Sequence, residues 1–133
     1  MIGLDTNVIV RLLINDNTRQ TEEARRYIKK HCSAAEPGYI THIALVETVW
    51  VLERVLKLPK EQVLSAMESL FRIKTITVQD AEIVQQALDC YHAGSIDFAD
   101  ALIGLIGQEN GADHTVTFDR AAAKLPGFKL LKA

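Results

Sequence analysis

The residues in this sequence best suited to chemistry are acids in apolar surroundings, and Glu47 is the clearest of them. The residues three and four positions from it on either side are all apolar: Ile43, Ala44, Trp50 and Val51. No Lys or Arg lies within residues 39–53 to balance its charge. An isolated carboxylate is costly to bury. Glu47 is therefore either a surface residue on a helix with an incomplete apolar stripe or a functional group.

Two further segments carry acids without a nearby cation. Asp97 and Asp100 are three residues apart at the start of a predicted helix and so share one face of it. Helix capping explains Asp97 better than Asp100, and residues 93–108 contain no Lys or Arg. Asp5 directly follows a short apolar run, and no Lys or Arg precedes position 11. All three segments thus place carboxylates among apolar neighbours.

Gathered in a fold, these acids would repel one another and raise one another's pKa. A divalent cation resolves that conflict, and carboxylate oxygens with water suit Mg²⁺ or Mn²⁺. Such a centre can activate water and stabilise an in-line displacement at phosphorus. Thr6, Asn7 and Thr117 lie beside the acids and can hold a ligand water or a carboxylate by hydrogen bonds.

The elements that must position these acids alternate between strand and helix. Predicted strands cover residues 1–4, 39–40, 75–78, 115–118 and 128–131. Predicted helices cover residues 7–14, 18–32, 42–56 after an N-cap at Thr41, 60–72, 81–93 after Asp80, 97–110, and a short 121–124. This alternation predicts an α/β fold with a mainly parallel sheet between helices. Asp5 and Asp119 each follow a strand, so we expect both at the edge where such sheets bind ligands.

Composition limits the classes of protein that fit. The chain has 133 residues, 48% of them hydrophobic and 24% charged, which predicts one folded domain over residues 1–133. Its net charge of −2 disfavours nucleic-acid binding by charge alone. No apolar stretch reaches the roughly 18 residues that a membrane helix needs. Two cysteines and an amino terminus without a basic region favour a cytoplasmic protein over a secreted one.

Four motifs in order resemble those of the PIN domain family. They are Leu4-Asp5-Thr6-Asn7, Glu47 on a helix after the second strand, Asp97-Phe98-Ala99-Asp100-Ala101-Leu102-Ile103, and Thr117-Phe118-Asp119. The resemblance covers nearly the whole chain and is closest to small ribonucleases of the VapC toxin type. It implies a five-stranded parallel sheet between helices, in three α/β/α layers. It also implies a Mg²⁺- or Mn²⁺-dependent endoribonuclease acting on RNA, often a homodimer, held inactive by a cognate antitoxin.

The same resemblance assigns roles to individual residues. Asp5, Glu47 and Asp100 match the three core acids, with Asp5 and Asp100 as principal metal ligands and Glu47 as a ligand directly or through water. Asp119 matches the more variable fourth acid, which holds a second ion or orients the attacking water. Asp97 matches an additional acid of part of the family, next to the ligands or on a second metal. Thr117 matches a small hydroxyl residue that often accompanies the fourth acid.

Several surface and packing roles stay open at this point. RNA contacts can come from Arg11, Arg19, Lys57, Arg72, Lys74, Arg120 or Lys124, although ordinary solvation is expected for most of them. The apolar helix at residues 8–14, with Leu56, Leu58, Val63 and Met67, forms either a groove for an antitoxin helix or part of the core. Trp50 is expected in the core. The four histidines have no metal-ligand spacing.

Four other functions compete with the nuclease. Nucleotide binding by a Gly-rich loop is disfavoured, because neither phosphate-binding motif is present. A phosphoacceptor receiver domain would carry its key Asp after the third strand, where Val78-Gln79-Asp80 instead opens a helix. A phosphatase of the haloacid-dehalogenase type would need Asp two residues after Asp5, where the chain has Asn7. A non-catalytic PIN-like interaction module would be favoured by missing core acids, and none is missing.

Overall fold

The computed structural model describes residues 1–133 and contains five short strands among helices. The strands are β1 Ile2–Gly3, β2 Gly38–Ile40, β3 Ile76–Val78, β4 Thr115–Thr117 and β5 Phe128–Leu130. The helices are α1 Thr6–Leu13, α2 Thr18–His31, α3 His42–Trp50, α4 Lys60–Phe71, α5 Ala81–Ala93 and α6 Phe98–Glu109. A π-helical turn, Val51–Val55, continues α3, and a 3-10 turn covers Ala122–Lys124. The predicted order of elements and the α/β class are confirmed.

The chain forms two compact units, Met1–Ala81 and Glu82–Ala133. The first unit contains a parallel sheet in the order β1-β2-β3, and the second contains the parallel pair β4-β5. The expected single five-stranded sheet is therefore wrong, because the strands are hydrogen-bonded as three and two. In β1 the amides of Ile2 and Leu4 bond to the carbonyls of Pro37 and Tyr39, on the β2 side.

The core of the first unit is formed by the inner faces of its helices. On α4, Val63, Met67 and Leu70 recur at helical spacing and are fully buried. Helix α4 packs against β3, and α1 packs against α2 and α3. Val63 and Met67 therefore belong to the core and do not line a groove, because neither side chain reaches solvent.

In the second unit, α5 and α6 each bury one apolar face. Apolar side chains of both helices are buried at three- and four-residue spacing: Val84, Ala87, Leu88, Tyr91, Phe98, Ala101 and Leu102. The Phe128 ring of β5 lies directly against Gly104, where even a Cβ would collide with it. Gly111, at φ +93°, follows the last residues of α6 as the predicted closing glycine.

No helix in the structure is long and apolar enough to cross a membrane.

Candidate metal centre

Asp5 lies where β1 ends and α1 begins, as the sequence predicts. It occupies the N-cap position of α1 with an extended backbone, but its side chain makes no capping hydrogen bond. An Asp at this position ordinarily accepts a bond from a backbone amide of the first turn. The side chain is exposed. Its carboxylate oxygens therefore remain available to a ligand.

Glu47 is held by a hydrogen bond from the neighbouring helix. The buried Thr6 hydroxyl of α1 donates to Glu47 Oε1 on α3 at 3.0 Å. Glu47 itself is exposed, on a face of α3 that also exposes Ile43 and Trp50. The Thr6 hydroxyl therefore orients one oxygen of the Glu47 carboxylate, although the Glu47 side chain is exposed.

Trp50 is 56% exposed, so the expectation that it packs in the core is wrong. Large aromatic residues are mostly buried, and that tendency suggested a core position. The sequence feature that indicates an exposed position for Trp50 is the helical spacing. Ile43, Glu47 and Trp50 are four and three residues apart, so the face that carries the acid also carries the indole.

Asp5 and Glu47 belong to the same cleft of the first unit, which has a volume of about 430 Å³. The cleft is lined by Asp5, Thr6, Asn7, Val46, Glu47, Trp50 and Val51. Its polar side carries two carboxylates, a hydroxyl and an amide, while Trp50 and the two valines supply an apolar wall. All three residues of the Asp5-Thr6-Asn7 motif thus contribute to one concave surface.

The second unit carries three acids that influence one another. Asp97 occupies the N-cap position of α6 but makes no side-chain capping bond, so the capping explanation for it is wrong. Asp100 lies in the first turn of α6 and is half-buried. Burial raises the pKa of the Asp100 carboxyl, and the negative charges of Asp97 and Asp119 raise it further. The three acids therefore form an electrostatically coupled group.

Asp119 organises the turn after β4. Its Oδ1 accepts hydrogen bonds from the amides of Ala121 at 2.8 Å and Ala122 at 3.3 Å. Thr117 Oγ1 in turn accepts from the Asp119 amide at 3.0 Å. The hydroxyl of Thr117 thus supports the backbone of the acid rather than its carboxylate. With Oδ1 engaged in the turn, Oδ2 is the oxygen left for a ligand.

The chemistry of these donors fits a hard divalent cation. Every candidate side chain offers carboxylate, hydroxyl or amide oxygen, which Mg²⁺ and Mn²⁺ prefer to sulfur ligands. The pKa of Asp100 is raised by burial first and then by the charges of Asp97 and Asp119, and a bound cation would lower it. The structure holds no group of three His, Cys, Asp or Glu side chains that could hold an ion. The candidate acids are Asp5 and Glu47 in the first unit, and Asp97, Asp100 and Asp119 in the second.

Most of the predicted RNA-contacting cations are solvated, as expected. Six are exposed: Arg19, Lys57, Arg72, Lys74, Arg120 and Lys124. Arg11 is engaged locally, since its guanidinium contacts Asp16 at 2.7 Å and Gln20 at 2.6 Å.

Of the histidines, His42 lies nearest an acid, with Nε2 at 3.3 Å from Asp80 Oδ2.

Comparison with known proteins gives three findings. The chain matches the PIN domain family over residues 2–127. A VapC ribonuclease of Aquifex aeolicus (strain VF5) is 23% identical over 126 residues, which are 95% of this chain and 92% of that protein. The crystal structure of Mycobacterium tuberculosis VapC20, described as a sarcin-ricin loop cleaving toxin, matches with a TM-score of 0.45 and 18% identity. That match covers 93% of this chain and 95% of the other.

The family match includes all four motifs that carry the resemblance in the sequence. It begins at β1, three residues before Asp5, and ends at Gly127, just before β5. Because it extends over nearly the whole length of the chain, the protein belongs to the PIN domain family.

Proposed function

We propose that this protein is a metal-dependent endoribonuclease and the toxin component of a toxin–antitoxin pair. The observation that carries the proposal is the cleft in which Thr6 fixes the Glu47 carboxylate beside Asp5. Membership of the PIN family and the similarity to a VapC ribonuclease over nearly the full length support it. The protein then hydrolyses phosphodiester bonds of RNA.

The proposal joins the two groups of acids in one centre within a single domain, residues 1–133. Asp5 and Asp100 are its principal ligands, Glu47 joins them directly or through water, and Asp119 and Asp97 support the centre. The family match favours this, because it runs through the boundary between the units and so includes both groups of acids.

Mg²⁺ or Mn²⁺ is the proposed cofactor, and when bound it supplies an activated water and stabilises the charge that develops on the phosphate. The protein's own groups prepare that chemistry. Thr6 holds one oxygen of Glu47 and leaves Oε2 free, while the turn amides hold Asp119 Oδ1 and leave Oδ2 free. The raised pKa of Asp100 makes a proton compete with the cation for this carboxylate.

The remaining partners follow from the same proposal. A cognate antitoxin and a homodimer are proposed from the resemblance to VapC toxins. A cytoplasmic location is proposed because RNA is the substrate and because Cys32 and Cys90 are both unpaired thiols. Exposed cations such as Lys57 and Arg120 then provide contacts to the RNA backbone.

The proposed function is tested by incubating the protein with labelled structured RNA in Mg²⁺ or Mn²⁺, with and without chelator. We expect cleavage that the chelator stops and that Asp5→Asn and Asp100→Asn each reduce by at least ~100-fold, since even the loss of a residue that only supports a ligand costs about 10- to 100-fold. Asp113→Asn, an exposed acid outside the candidate centre, is the matched control and should retain cleavage.

Cleavage that persists in chelator, or that both variants retain, would contradict the metal-centre assignment. A protein that neither cleaves RNA nor binds the metal would instead favour the non-catalytic interaction module.

A further inference from the structure

Trp50 is the single tryptophan of the chain, and its position calls for an explanation. It ends α3, three residues after Glu47, with more than half of its side chain exposed. An indole gains much from burial, so leaving it in water forgoes a large hydrophobic contribution to stability. The π-helical turn follows directly at Val51, and such turns are frequent at functional sites.

The surroundings of Trp50 restrict what can cover it. The indole shares its cleft with two carboxylates, Asp5 and Glu47. A wholly apolar partner seated there would strip water from both charges without offering a cation in return, which is unfavourable. A ligand that fits must therefore present a flat apolar face to the indole and stay hydrated or cationic at the acids.

The residues beyond Trp50 favour an anionic chain as that ligand. Arg54 and Lys57 are exposed four and seven residues after it, and no ion pair engages Arg54. The exposed side chains of residues 47–57 are the acid Glu47, the indole of Trp50, and then Arg54, Val55 and Lys57, so both cations lie beyond the indole. Single-stranded nucleic acid combines flat bases with a phosphate backbone that follows cationic side chains.

We propose that the Trp50 indole is a stacking platform for a nucleobase of single-stranded RNA, and that Arg54 and Lys57 contact the phosphates on its far side. The inference rests on the proposed nuclease function, because it places this base next to the phosphate that the acids address. Trp50 is then a positioning residue: it sets where along the RNA the chain is held and takes no part in bond breaking.

The first test uses the emission of the only tryptophan. Asp100→Asn protein in chelator is titrated with a short single-stranded RNA labelled for fluorescence anisotropy. Stacking predicts that indole emission is quenched with the same Kd that anisotropy reports. An oligonucleotide of equal length with abasic positions should bind more weakly and leave the emission unchanged. Binding by anisotropy without any change of indole emission would overturn the proposal.

The second test compares variants of Trp50 by anisotropy and by cleavage kinetics. We expect Trp50→Ala to raise Kd and KM about tenfold, within the range known for base–aromatic stacking, with kcat nearly unchanged. Trp50→Phe should restore most of the binding and Trp50→Leu should not. Ile43→Ala, an exposed aliphatic residue on the same helix, is the matched control and should bind as the wild type does.

Four outcomes decide between this inference and its alternatives. Equal binding by the Leu and Phe variants would contradict stacking, since any apolar side chain would then serve. A Trp50→Ala protein that loses self-association in sedimentation, with RNA binding unchanged, would assign the indole to an interface between copies of the chain. If the wild type cleaves RNA and all Trp50 variants bind and cleave it equally well, the stacking site is wrong and the nuclease function stands. Absence of both cleavage and metal binding would overturn the nuclease as well.

Discussion

The two groups of acids are held in their units by different forces. In the first unit, Glu47 receives a hydrogen bond from a buried neutral hydroxyl, so its orientation is set by geometry. In the second unit, Asp100 is partly desolvated and lies near the negative charges of Asp97 and Asp119, so its pKa is raised. One group is oriented in advance by a hydrogen bond, whereas the other contains a carboxyl group whose ionisation is disfavoured.

Removing the hydroxyl of Thr6 should have the largest effect, and it acts on the group of the first unit, Asp5 with Glu47. Thr6→Val keeps the shape of the side chain but leaves Glu47 Oε1 without its donor. Because partners that orient metal ligands are worth about 10- to 100-fold in affinity or activity, we expect a loss in that range. Mn²⁺ affinity and RNA cleavage measure it. Thr6→Ser, which restores the donor, should recover most of the activity, and a Ser variant as weak as Val would contradict the role of the hydrogen bond.

Two substitutions of Asp119 distinguish the hydrogen bonds that its carboxylate accepts in the turn from the effect of its negative charge. Asp119→Asn keeps an acceptor for the amides of Ala121 and Ala122, so thermal stability should change little while cleavage falls by roughly tenfold. Asp119→Ala loses that acceptor as well and should be less stable by about 1 kcal/mol. Thermal unfolding and cleavage rates, measured side by side, give both numbers. Equal stability of the two variants would show that the capping bonds contribute nothing.

The smallest expected effect is the pH dependence of metal-free stability. The pKa of Asp100 is raised from its ordinary value of 3.8, so the folded state binds its proton more readily than the unfolded state. Stability from this group is therefore present at low pH and is lost as the pH rises through the raised pKa. Asp100→Asn cannot ionise and should show a weaker decline in melting temperature with rising pH. Asp113→Asn should decline as the wild type does, and an unchanged slope in Asp100→Asn would refute the electrostatic coupling.

Local features of the fold were predictable because local sequence determines them. Thr41 caps α3 through the amide of Ala44, as the cap rule predicts, and Gly111 ends α6. Asp5 and Asp119 follow strands because each apolar run stops at an acid. The burial of residues that depend on packing between distant segments is harder to predict. The sequence leaves the burial of Met67 open, because an apolar helical stripe has the same pattern whether it faces a core or a groove.

Two errors have related physical causes. The resemblance implies a single five-stranded sheet, but strands of two or three residues carry few hydrogen bonds, and the structure pairs them as three and two. Trp50 was assigned to the core on residue type, although the Glu47 three positions earlier already marked that face as solvent-exposed. In both cases a general tendency, of strands to join one sheet and of tryptophan to be buried, was outweighed by the local packing.

The central claim, that acids from both units serve one cation, is tested most directly by calorimetric titration of Mn²⁺ into the wild type, Asp5→Asn and Asp100→Asn. The account predicts one binding event in the wild type that is severely weakened in both variants, although the substitutions lie in different units. Wild-type affinity in either variant would show that the ion is held by one group of acids alone, and the joint centre would be wrong.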